Sequence, residues 1–175
     1  MNFLWGALII TLAAAGTVNG QISGPPMTVT STDFANGGEI PPRFTCDQEN
    51  TNPVLQFAAV PAEAKCMVLI LDDPDAPAGT FTHWLVWNIP PETKEITSGG
   101  LPRQIPQGTN DFGKSGYGGP CPPSGVHRYY FHLYALNTLL KLKPGSDRET
   151  VDKAIKGHVI AEATLMGKYG RKQTR

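Results

Sequence analysis

Five short runs of apolar, β-branched and aromatic residues, each closed off by turn-forming residues, constrain this chain more than any other feature. They are Met27–Ser31, Val54–Phe57, Cys66–Leu71, Trp84–Ile89 and Tyr129–Leu136. Runs of about 4–8 such residues between Pro/Gly clusters read as strands, because branched and aromatic side chains fit a pleated, half-buried surface. Trp84-Leu85-Val86-Trp87-Asn88-Ile89 is nearly continuous in hydrophobicity, which predicts a strand covered on both faces. The 19 Gly and 16 Pro are spread without a period, so they favour a loop-rich β fold over collagen-like or low-complexity structure. One helix start is legible: Ser146-Asp147-Arg148-Glu149 has the form of a capping box with Ser146 as N-cap, and Gly157 can end that helix at positive φ. From His158 to Tyr169, Ala, Glu, Leu and Met favour helix, but Gly157, Gly167 and the β-branched Thr164 tip the segment towards a final strand.

Residues 1–20 read differently. Phe3 to Ala15 is an apolar run too short to span a bilayer comfortably, and Val18-Asn19-Gly20 before Gln21 supplies a cleavage site. This predicts a signal peptide over 1–20 and a secreted or periplasmic chain, with no stable membrane insertion once the segment is removed. The run is preceded by no Lys or Arg, so a retained membrane anchor is the competing reading. From Gln21 onward no linker, repeat or charge block divides the chain, which gives one domain over 21–175. Fifteen basic residues balance fifteen acidic ones, so no global field draws the protein to nucleic acid or to anionic membrane. Binding specificity must then be local.

Three cysteines follow the leader. Cys46 and Cys121 lie in turn-rich segments, whereas Cys66 opens an apolar run where a small buried hydrophobe serves equally well. An odd count in an exported chain predicts one disulfide, Cys46 with Cys121, and a free thiol at Cys66.

Several segments could carry chemistry. Asp72-Asp73-Pro74-Asp75-Ala76-Pro77 ends a strand, and its prolines hold the carboxylates in place, although the segment alone favours a plain Asx turn. His83, just before the Trp84 run, can sit at the same sheet end as Asp73, or can be a structural hydrogen-bonder. In a strand, residues two apart share a face, so His127, Tyr129, Phe131 and Leu133 point one way and Arg128, Tyr130, His132 and Tyr134 the other. Upstream, the glycines of Gly116–Gly125 leave amides that could form an anion-binding concavity, or simply a rigid loop. Gly108-Thr109-Asn110-Asp111-Phe112-Gly113-Lys114-Ser115 matches a phosphate-loop pattern by letter but has no strand before it and no helix after it. His127 and His132 fall on opposite strand faces, which excludes them as a metal pair, and no HExxH, CxxC or G-x-S-x-G occurs.

Taken in order, Asp73-Pro74-Asp75-Ala76-Pro77, His83–Pro90, Asp111–Pro123 and His127-Arg128-Tyr129 resemble the phosphatidylethanolamine-binding protein (PEBP) family, in its prokaryotic Raf-kinase-inhibitor-like branch. Phe44-Thr45-Cys46-Asp47 and the tail from Gly157 to Gly170 fit the same branch. The resemblance covers nearly all of residues 21–175. It implies a mainly β fold: a large central antiparallel sheet flanked by a smaller sheet, with one or two short helices near the C-terminus. It also implies a ligand pocket of Asp73, His83, Gly119, Pro120, Cys121, His127 and Tyr129, accepting phosphate-like or carboxylate-like anions; with no metal motif in the chain, no cofactor and no metal are expected. Two features depart from animal members: Phe81-Thr82 stands where an aromatic often precedes the pocket histidine, and the long C-terminal extension is missing. An anion beside Asp73 requires a cationic histidine or a shared proton. The function expected is a binding or regulatory protein for a small anion or phosphorylated headgroup, rather than an enzyme. Alternatives are a protease inhibitor, whose partner is a protease, and, further off, an enzyme with His127 as base and Asp73 as its orienter.

Overall fold

The computed structural model of the protein describes residues 25–171, so the expected signal segment and its cleavage site lie outside the described residues. Among the described residues seven strands and one α-helix follow in chain order, with a single 3-10 turn at Pro42–Phe44: β1 (Thr28–Thr30), β2 (Leu55–Ala58), β3 (Cys66–Asp73), β4 (Phe81–Ile89), β5 (Glu95–Ile96), β6 (Val126–Leu136), α1 (Arg148–Ile155) and β7 (Val159–Gly170). Strands β4-β3-β6-β7 form a four-stranded antiparallel sheet, and β1-β2-β5 form a three-stranded one. All five runs read from the sequence contain strands: the first is trimmed to Thr28–Thr30, the second shifts to Leu55–Ala58, and the other three extend further at one end. The final segment is a strand, as its glycines and Thr164 indicate. The two-residue β5 has no signal of its own and forms by pairing with β2.

The alternation along β3 separates two cores. Met67, Leu69 and Leu71 pack with Val29, Leu55, Phe57 and Ile96 of the small sheet. Cys66, Val68 and Ile70 pack with Leu85, Trp87 and the α1 residues Val151 and Ile155. Every residue of β3 is buried, as a strand between two layers must be. On the outer edge of β7, the segment Gly37–Ile40 hydrogen-bonds to Met166 and Lys168 and covers part of the open strand. Gly167 is required there, because a Cβ would meet Ile40 and Phe34 at 2.5–2.8 Å.

The helix cap differs from the sequence reading by one residue. Asp147 is the N-cap, its carboxylate accepting from the Thr150 amide at 2.9 Å. The Ser146 hydroxyl is taken by the preceding turn, donating to the Lys143 carbonyl at 2.8 Å. A carboxylate also suits the positive end of the helix dipole better than a hydroxyl does. Gly157 follows the helix at φ +80°, as expected. Cys46 and Cys121 form the disulfide, Cα–Cα 5.4 Å, and Cys66 is a free, buried thiol donating to the Thr138 carbonyl.

Candidate functional site

At one end of the large sheet the face lined by Leu71 and Phe131 turns polar. Asp73 follows Leu71 two residues on in β3, and His127 and Tyr129 precede Phe131 by four and two in β6, so plain strand alternation puts all three on this side. Asp73 Oδ2 accepts from His127 Nδ1 at 2.7 Å, while Asp73 Oδ1 accepts from the Asp75 amide at 2.9 Å. Both readings of Asp73 therefore hold: it closes an Asx turn and it orients a histidine. Asp75 holds Arg128 through the Arg128 amide, Nε and Nη2, which fixes the strand next to His127.

His83 reaches the site by a different route. Leu71 pairs with Trp84 but Asp72 pairs with Thr82, so His83 is an extra residue, a β-bulge in β4. Counted back from Trp87 and Leu85, regular alternation would send His83 to the α1 side; the bulge turns it towards Tyr129, ring centroids 5.3 Å apart. Its Nδ1 lies 2.7 Å from the Gly118 carbonyl, which can only accept, so Nδ1 carries the hydrogen. The same logic gives His127 an Nδ1–H towards Asp73. In each neutral ring the remaining Nε2 is an acceptor, becoming a donor only on protonation. Burial pushes the His83 pKa down, against the opposing pull of the Gly118 carbonyl and the Asp73 charge. His83 is thus held neutral.

The site is closed from solvent: Asp73 is 3%, His83 2%, His127 8% and Tyr129 0% exposed. The Tyr129 hydroxyl is buried and has no hydrogen-bond partner. Burial first, then the charge of Asp73 and the hydroxyl's polar contact with that carboxylate, push its pKa far upward, while the Cys121 backbone N–H pulls the other way. It is a neutral donor at ordinary pH.

Of the two readings of the glycine loop, the structure bears out the rigid loop and not the anion-binding concavity of Gly118 and Gly119 amides. The Gly118 amide donates to the His83 carbonyl at 3.0 Å and the Gly119 amide to Asn50 Oδ1 at 2.8 Å, so neither is free for an anion. Gly119 has no room for a side chain: a Cβ would clash with the Phe44 carbonyl and stand 2.9 Å from Thr45 Cα. Glycine is needed here for close approach of two loops. The Cys46 amide donates to the Pro120 carbonyl, and the Cys46–Cys121 disulfide ties the same loops together. Pro120 and Cys121 thus frame the site through their backbone.

Three participants have no place in the sequence reading of the site. Asn50, at φ +56°, anchors Gly119 from an exposed turn and carries no local signal. Gly118 orients His83 through its carbonyl, and was hidden among like neighbours. Phe112 packs edge-on to both His83 (5.3 Å) and Phe81 (4.7 Å), within the stretch that reads as a phosphate loop. That stretch is a turn built on Asn110, whose Oδ1 accepts from the Phe112 and Lys114 amides. His132 sits on the opposite face from His127, near Asp72 at 3.4 Å.

Residues 30–170 match the family model described as phosphatidylethanolamine-binding protein. A UPF0098 protein of Methanothermobacter thermautotrophicus is 51% identical over 150 residues, which span 83% of this chain and 99% of the relative. One from Pyrococcus abyssi is 44% identical over 182 residues, spanning 98% of this chain and 100% of the relative. Among solved structures, a PEBP homologue from Chlamydia trachomatis superposes with a TM-score of 0.81 at 40% identity, covering 84% of this chain and 99% of that one. E. coli YbcL, a member of the mammalian PEBP family, gives a TM-score of 0.79 at 32% identity over 85% of this chain and all of that one.

Proposed function

Since this chain belongs to the phosphatidylethanolamine-binding protein family, we propose that it is a binding or regulatory protein whose pocket takes a small phosphate-like anion, free or as a phosphorylated headgroup. The observation that carries this reading is the Tyr129 side chain, fully buried beside two histidine rings, whose hydroxyl makes no well-formed hydrogen bond although the Asp73 carboxylate and the Cys121 amide lie near it. Leaving such a donor unpaired costs about 1–3 kcal/mol, a cost that an anionic oxygen removes. Each Nδ1–H is already committed, His83 to the Gly118 carbonyl and His127 to Asp73, so the Nε2 atoms are what the two rings have left for a ligand.

This arrangement couples binding to protons. With both rings neutral, Tyr129 is the side-chain donor and the histidines can only accept, which suits an anion that keeps a proton. A fully ionised phosphate needs a cationic ring, and His127 is the one whose cation has a carboxylate against its other nitrogen. Affinity should therefore rise as pH falls through the histidine range.

NMR titration with inorganic phosphate and with phosphoethanolamine tests this. The imidazole signals of His83 and His127 should shift with both, more strongly at lower pH. His127→Ala should lose roughly ten- to hundredfold in affinity, from the hydrogen bond to a charged group that it removes. Lys114→Ala should change little. Unmoved histidine signals at saturating phosphate would refute the reading, and turnover of a phosphate ester abolished in His127→Ala would replace it with catalysis.

A further inference from the structure

The Cys46–Cys121 disulfide joins the loop over residues 44–50 to the loop over 116–121, and both of its cysteines are half-buried rather than sealed in the core. A cavity of 280 Å³ opens beside it, just under the range of about 300–1,000 Å³ in which small-molecule pockets fall. Cys46 lines this cavity and Cys121 does not. Lys114 is the only charged residue on its walls. That lysine is exposed and makes no ion pair among the described residues. Its backbone is fixed from both sides: its amide donates to Asn110 Oδ1 at 3.1 Å, and its carbonyl accepts from the Asn110 amide at 2.9 Å. The carboxylates adjoining these residues in sequence are already engaged, Asp47 with Tyr169 and Arg171, and Asp111 with the Thr82 amide. Asn50 commits its Oδ1 to the Gly119 amide, which leaves its NH2 group as a donor on the cavity wall. Cys66 is a contrast: it is fully buried and its thiol donates to the Thr138 carbonyl, so it takes no part in chemistry at the bridge.

Independently of the anion pocket, we infer that Cys46 is a thiol–disulfide exchange site for small anionic thiols, and that opening the bridge loosens the loop that holds His83. The attacking species is a thiolate, and one that enters the cavity meets Cys46 and not Cys121. A bond forms between its sulfur and Cys46 Sγ as the Sγ–Sγ bond breaks. The electron pair leaves on Cys121, and the proton lost by the incoming thiol returns to Cys121 through solvent. One thiol is consumed and one released, so the step needs no outside oxidant or reductant. Lys114 favours the incoming thiolate and the negative charge spread over three sulfurs in the transition state. It favours still more a thiol that also carries a carboxylate: opposite unit charges about 4 Å apart in bulk water are worth about fivefold. The consequence reaches His83 through the loop. The Gly118 carbonyl holds His83 Nδ1–H, and Gly119 lies against Phe44 and Thr45 at a distance that excludes a side chain. The disulfide is the covalent tie between these two loops, and a mixed disulfide at Cys46 breaks it.

The test exposes the native, oxidised protein to limiting 3-mercaptopropionate, 2-mercaptoethanol or cysteamine at one pH and ionic strength, with acid quenching and peptide mass mapping. Each rate is taken per thiolate present and relative to the same thiol's rate with an uncharged model disulfide, which removes differences in intrinsic nucleophilicity. In the wild type 3-mercaptopropionate should react about fivefold faster than 2-mercaptoethanol, and cysteamine more slowly than either, with the spread shrinking as salt is added. The adduct should sit on Cys46 with Cys121 free, and the His83 imidazole signal should shift as it forms. In Lys114→Gln the preference should fall towards one, and in Lys114→Glu it should invert; unchanged amide fingerprints show that both variants fold. An adduct on Cys121, or a charge preference that survives Lys114→Gln, overturns the site. So does exchange no faster than global unfolding under the same conditions, since the thiol then reaches only the unfolded chain. A Cys46 adduct that leaves the His83 signal unmoved overturns the coupling to His83.

Discussion

Replacing Tyr129 by Phe should separate stability from binding. The substitution removes one oxygen and keeps the ring, so the edge-to-face contact with His83 and the surrounding core stay filled. In the wild type that oxygen is buried without a partner, a state that costs about 1–3 kcal/mol depending on how well neighbouring dipoles compensate. The Cys121 amide and Asp73 lie close enough to act on it, so the lower part of that range applies. Without ligand, Tyr129→Phe should gain about 1 kcal/mol, roughly 2–4 °C in Tm for a domain of this size. Saturating phosphate should reverse the order: the wild type gains about 2.7 kcal/mol at a hundred times Kd, while the variant binds roughly ten- to hundredfold more weakly and gains correspondingly less. Thermal melts with and without phosphate, paired with calorimetric titration, read both quantities on the same samples. A ligand-free variant less stable than wild type by 1 kcal/mol or more would mean that the hydroxyl has a partner after all. Equal phosphate affinity would mean that it does not face the ligand. Either result removes the basis for the proposed pocket chemistry.

Three further outcomes follow from the structure. Cys46 and Cys121 are 75 residues apart in sequence, so removing their disulfide should cost about 4 kcal/mol in the chain-entropy model, read as a lower Tm in Cys46→Ala/Cys121→Ala, with the free thiol of Cys66 inert to mild alkylation in the native state. Burial alone would raise the Asp72 pKa, but hydrogen bonds from His132 and Arg148, with their charges, outweigh it and lower it; the stability this adds is present above the unfolded carboxylate pKa and is lost as pH falls through the lower folded value. Asp72→Asn should accordingly destabilise by about 1–2 kcal/mol at neutral pH, between the values for exposed and buried pairs, and the difference from wild type in chemical denaturation should vanish in acid rather than widen. Intact mass of protein recovered outside the cytoplasm should place its first residue at Gln21; a form beginning at Met1 there would favour a retained anchor.

What was legible before folding is what depends on local period and composition. The strands from Cys66, Trp84 and Tyr129 announce themselves because a two-residue period and a continuous apolar run have few other uses. The same period places Asp73, His127 and Tyr129 on one face, since none of them needs more than plain alternation to reach it. Cys46 and Cys121 were distinguishable from Cys66 because a turn-bound cysteine and one inside an apolar strand have different surroundings in any fold. Tertiary structure decided the rest. His83 faces the site only because β4 carries one residue more than β3 between two pairing points, and a bulge is a property of two strands together. The fate of the Gly118 and Gly119 amides depended on which loop packs against them; residues 44–50 do, and they take Gly119's donor through Asn50 and its missing side chain through the Phe44 carbonyl. Capping passed from Ser146 to Asp147 once the turn at Lys143 claimed the serine hydroxyl. Phe112 belongs to a segment whose letters suggest phosphate and whose fold supplies an aromatic wall, because a ring's neighbours are set by long-range packing and not by its position in the chain.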